Sequence, residues 1–207
     1  MAYASLTDLK SWLKIDDSED DALLSLALAN AESAIDRYTE RTFVLSSTQS
    51  ATARTYGTRV AGAVWVDDIG DTTGLIVKID DNDNGVFETT LTLGTDFVLD
   101  PPTGQYQAGG VWPSTRILTI GSRLLPTFSE SNRRRVEVTA KWGWPLVPSE
   151  VQLATLYLAA DLYRRKDAPF GVIGWGSEMG VSRIGSNPMK AVAGLLEPYR
   201  KSMVVVA

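Results

Sequence analysis

Apolar residues keep a helical period at both ends of this chain and a strand period in its middle. The two periods are not interchangeable. Apolar positions every three or four residues make one face of a helix but fall on both faces of a sheet. The switch therefore restricts the chain to a helical frame with a β-rich piece set into it, an α+β fold. At the N-terminal end, Leu6, Leu9, Trp12 and Leu13 form the inner face of a short helix capped by Ser5, with Asp8 three residues on. Ser18, followed by Glu19, Asp20 and Asp21, marks a second helix start, because acidic residues favour a helix N-terminus. Leu24, Leu28, Ala31, Ile35 and Tyr38 then recur at spacings of four and three. Leu23, Leu26 and Ala27 widen that stripe, so this helix is expected to meet neighbours on more than one side.

In the middle, Val136, Val138, Ala140 and Trp142 alternate with Arg135, Glu137, Thr139 and Lys141, as in a half-buried strand. Residues 75–79 and 86–93 read as a hairpin around the turn 81–85, with further strands at 63–66, 97–99 and 117–120. The helices return at Pro148-Ser149, which with Gln152 reads as a capping box opening a helix to about residue 166. Val151, Leu153, Leu156, Leu158 and Leu162 cover most of its circumference, the pattern of a central helix. Asn187-Pro188 opens the last helix, Val192, Leu195, Leu196 and Tyr199 face inward, and Pro198 ends or kinks it. The expected division is 1–46 plus 146–207 for the helical core, with 47–145 as an inserted antiparallel β subdomain.

The chain's 207 residues include no cysteine and no histidine. Thiolate nucleophiles, thiolate metal sites, a Ser-His-Asp triad and an imidazole base are all excluded, while carboxylate-only chemistry survives. No acid pair for glycoside hydrolysis can be located, since the acids fall in turns and helix starts. A net charge of −5 does not give the positive field of a nucleic-acid binder. The sequence has no apolar run of membrane-spanning length and no signal-peptide pattern at its start, so the chain is expected to remain in the cytoplasm until an assembly takes it up.

Five groups of residues invite a functional reading. Asp80, Asn82 and Asn84, followed by Gly85, match the first half of a calcium loop, but Leu91 stands where the bidentate Glu belongs. A tight turn demands the same residue types, and any calcium affinity is expected to be weak. Arg133, Arg134 and Arg135 form the densest positive run, suited to phosphate or an acidic partner, or to a solvated strand start. Phe170, Val172, Ile173, Trp175 and Met179 are interleaved with glycines in the loop 169–185, so they dock on a partner or fold back on the core. Arg164 and Arg165 suit the helix C-terminus before that loop, with a side role at an interface. Trp65, Trp142 and Trp144 are either a sugar-stacking platform or core.

The order of segments LTDLKSWL, IDDSEDDALL, AIDRYTERTF, KWGWPLVPSEVQLATLYLAADLYRRKDAPFGV, RIGSNP and LLEPYR resembles the head-to-tail connector (adaptor) proteins of tailed bacteriophages. The form with a β-rich insertion, as in actinobacterial phages, is the nearest in pattern. The resemblance spans both helical ends, about half the chain. It implies a four-helix connector core, a non-enzymatic virion part made in the host bacterial cytoplasm, and no cofactor. It further implies a homo-oligomeric ring of about twelve subunits beneath the portal protein. That ring would extend the channel for double-stranded DNA without sequence specificity and offer a surface to a stopper or tail-completion protein. Side-by-side contacts would bury the extra faces of the helices 18–41 and 149–166. Portal docking maps by the same resemblance to 187–207, including Tyr199, Arg200, Met203, Val204, Val205 and Val206. Other readings of the sequence are a calcium- or glycan-binding β module, or another neck ring such as a stopper or tail-terminator.

Overall fold

A computed structural model describes residues 2–45, 50–102, 106–107, 110–128, 133–166, 172–176, 180–183 and 187–201. Among them are four α-helices and an antiparallel sheet of six strands, so the α+β class is borne out. The chain divides into two compact units. One comprises Met1–Thr42 with Val147–Ala207, and the other is Phe43–Leu146.

In the helical unit, α1 (Leu6–Leu13) opens with a complete capping box, Ser5 and Asp8 each serving the other's backbone. Helix α2 (Asp21–Thr39) begins at the last residue of the acidic cluster, three residues later than Ser18. Its N-cap residue Asp20 makes no cap bond, because the carboxylate is taken by Tyr163 and by Lys166 at 2.6 Å. Helix α3 (Ser149–Arg164) packs on α1, on α2 and on α4 (Met189–Leu196), and is the centre of the unit as its all-round apolarity suggests. The capping box expected at its start does not form. Ser149 already lies inside the helix, Pro148 is the N-cap, and the Ser149 hydroxyl turns to Glu150. A 3₁₀ turn, Glu197–Tyr199, follows α4, with Pro198 inside it.

The β unit is built on one long, bent strand. Strand β1 (Thr52–Tyr56) lies at the sheet edge and pairs with β8 (Val136–Trp142). Strand β2 (Ala63–Ile79) pairs with β7 (Ser114–Thr119) between Ala63 and Ile69 and with β8 between Ile69 and Ile79, with register shifts between Trp65 and Ile76. The short β3 (Thr89–Leu91) pairs with the far end of β2, and β4 (Phe97–Asp100) with β7. The expected hairpin is thus present in altered form, with residues 86–88 outside any strand and residues 63–66 continuous with 75–79. Strands β5 (Tyr106–Gln107) and β6 (Gly110–Val111) form a separate small ladder.

The inner sheet face carries Val64, Val66, Val77, Ile79, Ile117, Val136, Val138, Ala140 and Trp142 into one core. At the bend, Gly70 meets the backbone of Gly143 so closely that a Cβ there would lie 2.5 Å from the Gly143 carbonyl oxygen. Gly143 N–H donates to the Asp68 carbonyl at 2.8 Å, and the buried Trp144 indole donates to the Asp68 carboxylate at 3.1 Å. Phe43 and Trp112 both pack against that indole, with ring centroids at 5.1 and 4.9 Å. Phe43 and Trp144 lie near the first and last residues of the β unit, so its two chain ends lie together.

Candidate assembly surfaces

The helical unit leaves large apolar groups uncovered. Leu23 and Leu26 on α2 are 48% and 59% exposed, while Leu24, Ala27, Leu28, Ala31 and Ile35 turn inward. The widened stripe of α2 therefore has an outer part that the described residues of this chain do not bury. Trp12 of α1 and Tyr157 of α3 form a second uncovered place. They are 43% and 48% exposed, and they meet edge to face at 5.2 Å.

The C-terminal segment is tied to the helical unit as far as Lys201. Tyr199, expected at the portal surface, is 2% exposed, and its hydroxyl donates to Glu150 at 2.9 Å. Burial, and then Glu150, push that hydroxyl up to about 12. Glu150 in turn is held below its ordinary range by its own backbone N–H and then by Tyr199. Tyr38 donates to Glu197 at 2.8 Å, Arg200 lies over the Tyr38 ring while remaining exposed, and Lys201 N–H donates to the Thr39 carbonyl at 2.8 Å. Met203, Val204, Val205 and Val206 lie outside the described residues, as do Phe170 and Met179.

The glycine-rich segment after α3 is not a plain loop. Strand β9 (Val172–Gly176), which includes Val172, Ile173 and Trp175, pairs antiparallel with β10 (Gly180–Arg183). Two short runs with β-branched residues on either side of a three-residue connection were the available signal for this hairpin. Just before it, Arg165 pairs with Asp161 one helical turn earlier at 2.7 Å, and Arg164 is exposed.

The arginine run and the acidic turn belong together. Arg135 donates to the carbonyls of Asp80 and Asp81 at 3.0 and 2.9 Å, and Arg133 donates to that of Asp83 at 3.2 Å. Arg134 donates to the Thr55 carbonyl at 3.3 Å, and both Arg133 and Arg134 remain exposed at the surface. Asp80 is 1% exposed, and its two oxygens accept from the backbone N–H groups of Asn84 at 3.2 Å and Gly85 at 2.8 Å. Burial raises its pKa, but the N–H groups of Gly85, Asn84 and Asp83 outweigh burial and hold it below the carboxylate range. Asn82 turns instead to Glu88. Among the described residues no group of three or more acids is placed to hold a metal ion. The three tryptophans share no open platform. Trp142 and Trp144 are buried, and only Trp65 is exposed, with the Arg116 guanidinium 5.0 Å from its ring.

Residues 3–65 match the family model described as Phage gp6-like head-tail connector protein, a segment that takes in α1, α2, β1 and the start of β2. Comparison with curated proteins gives no match. Among solved structures, one similar chain comes from the neck of an empty gene transfer agent particle computed with C6 symmetry. It is 18% identical, with 99% of this chain and 93% of that chain covered, at a TM-score of 0.56. Another comes from the virion of a native gene transfer agent particle, 20% identical at the same coverage, with a TM-score of 0.52. At such identities the likeness is one of fold. Residues 3–65 thus match the gp6-like head-tail connector model, and over nearly its whole length the chain has the fold of a chain from gene transfer agent particles.

Proposed function

We propose that this protein is a non-enzymatic ring component of a virion neck, placed as a head-to-tail adaptor beneath the portal. The observation that carries this reading is the coincidence of a connector-type sequence in α1 and α2 with a neck-type fold over 99% of the chain. Uncovered apolar surface on those same helices supports an assembling part rather than a free enzyme. The absence of cysteine and histidine from the sequence leaves an enzymatic alternative little chemistry to use.

The ring holds about twelve copies by family resemblance, and a twelvefold ring contains sixfold symmetry. Its wall, from a chain of net charge −5, lets duplex DNA pass without trapping it. Arg133 and Arg134, already braced by backbone carbonyls, and Arg164 supply exposed cations for DNA or a neighbouring protein. The residues after Lys201, with Met203, Val204, Val205 and Val206, dock into the portal, and the β9–β10 segment with Phe170 and Met179 meets a partner. A stopper or tail-completion protein takes the other side of the ring.

The test is to mix the purified chain with the portal ring of its own particle and count co-migrating copies by native mass measurement. A full ring of copies per portal is expected. A chain ending at Lys201 keeps the Thr39 contact and is expected to fold but not to bind. No association of the complete chain with an intact portal would overturn the adaptor reading.

A further inference from the structure

The exposed face of α2 holds more than two leucines. From Ala22 to Ser33 its exposed positions are Ala22, Leu23, Ser25, Leu26, Ala29, Asn30 and Ser33, and none is charged. A helix face bound for water normally carries charge. Among the described residues of the helical unit, the other strongly exposed apolar groups are Trp12 and Tyr157, which stand together where α1 meets α3. Leu162, at 37%, is the least exposed of the five large ones. The unit thus shows two apolar places of different shape. One is a low helix face with small side chains around Leu26, and the other is a pair of projecting rings.

Symmetry decides how two such places can be used. If α2 met α2 of a second copy, the contact would be self-complementary and would close as a twofold dimer, leaving nothing to extend a ring. A ring needs two unlike surfaces on each subunit, each covered by the other. We propose that the Leu23–Leu26 face of α2 in one copy seats the Trp12–Tyr157 edge of the next. This pairing gives the ring its direction and rests on the ring reading above.

The area involved also fixes when the contact forms. Two aromatic side chains bury about 150–250 Å² each when fully covered, and here roughly half of each remains to be covered. A contact of that kind reaches only a fraction of the roughly 800 Å² per partner found in stable interfaces. It is too small to hold two free copies together, and it becomes effective once a docking platform gathers the copies and raises their local concentration. The free chain is accordingly monomeric and the bound chain is a ring.

The chain has no native thiol, so introduced cysteines are the only thiols it carries. Ala29→Cys marks the α2 face, and Ser11→Cys marks the neighbourhood of Trp12 without removing either ring; both positions are exposed. Particles carrying the double variant are treated with a short bifunctional maleimide and their chains separated under denaturing conditions. A ladder of multimers from the double variant, with no dimer from Ala29→Cys alone, is the expected result. The variant present in particles but uncross-linked would overturn this pairing and leave the ring reading intact, and so would a dimer from Ala29→Cys alone. Native particles that lack the chain altogether would overturn the ring reading itself. As an independent measurement, Leu26→Lys should leave the free chain's melting temperature within a degree or two and cut incorporation at least tenfold. Incorporation at the native level would overturn the proposal.

Discussion

Gly70→Ala should destabilise the β unit far more than a single methyl group suggests. A Cβ at residue 70 would stand 2.5 Å from the Gly143 carbonyl oxygen and 3.2 Å from its carbonyl carbon, with Leu45 Cδ1 at 3.4 Å. The nearest obstacle is backbone and cannot swing aside. Relief requires moving the bend of β2 away from the Gly143 segment, where Gly143 N–H meets the Asp68 carbonyl at 2.8 Å and the Trp144 indole meets the Asp68 carboxylate at 3.1 Å. Overpacking in a filled interior costs about 1–3 kcal/mol. Weakening one of those hydrogen bonds adds about 1 kcal/mol. The sum, about 2–4 kcal/mol, corresponds to a fall in melting temperature on the order of 10 °C or more for a unit of about 100 residues. Gly194→Ala is the control, since a Cβ there meets nothing within 4 Å and α4 gains about 0.5–1 kcal/mol from the better helix former. Thermal unfolding followed by near-ultraviolet circular dichroism, sensitive to Trp142 and Trp144, reads both variants. A Gly70→Ala protein melting within two degrees of the parent would refute the claim of a fixed backbone crossing.

Arg135→Ala removes the two donors that hold the carbonyls of Asp80 and Asp81, and is expected to cost about 2–3 kcal/mol by denaturant unfolding. Calcium or a chelator should leave the melting temperature of the parent unchanged, because both Asp80 oxygens already serve Asn84 and Gly85; a calcium-dependent rise would restore the metal reading of that turn. Glu150 has a folded pKa below its unfolded value of 4.5, so its contribution is fully present above that value and is lost as pH falls through the folded pKa. Tyr199→Phe should therefore flatten the decline of the urea midpoint on acidification below pH 4.5, and an unchanged slope would count against the Glu150–Tyr199 link.

The helices were legible because their stripes are long and regular, and Leu24, Leu28, Ala31 and Ile35 turned out to be the buried line of α2. Strand β8 was legible for the same reason, since its burial alternates without a break from Val136 to Trp142. The length of β2 was hidden. Asp67, Asp68, Gly70, Asp71 and Gly74 lie between the expected strands 63–66 and 75–79, yet one strand runs through them by shifting register and changing partner. Strand β1 has almost no buried face, so its sequence TARTY carries no alternation to detect. The start of α3 misled in another way, because Ser149 has the right chemistry for a cap one residue too late. Tyr199 reads both as an inward position of the last helix and as a docking residue, and apolar character in sequence does not choose between the two. Its ring fills the core of its own chain, while Leu23 and Leu26, read as part of a buried stripe, stand outside. Burial follows from which helix face meets α3, and a single helical wheel does not contain that choice.

The pairing of Phe43 with Trp144 has a meaning for how such a chain can change over time. A β unit that is entered and left at one spot is, for the path of the surrounding chain, equivalent to a short turn. It can grow, shrink or be exchanged for an unrelated piece without rerouting the helices on either side. Variation can then collect in the inserted part, above all beyond residue 65 where the family match ends, while the course of α1 and α2 is unchanged.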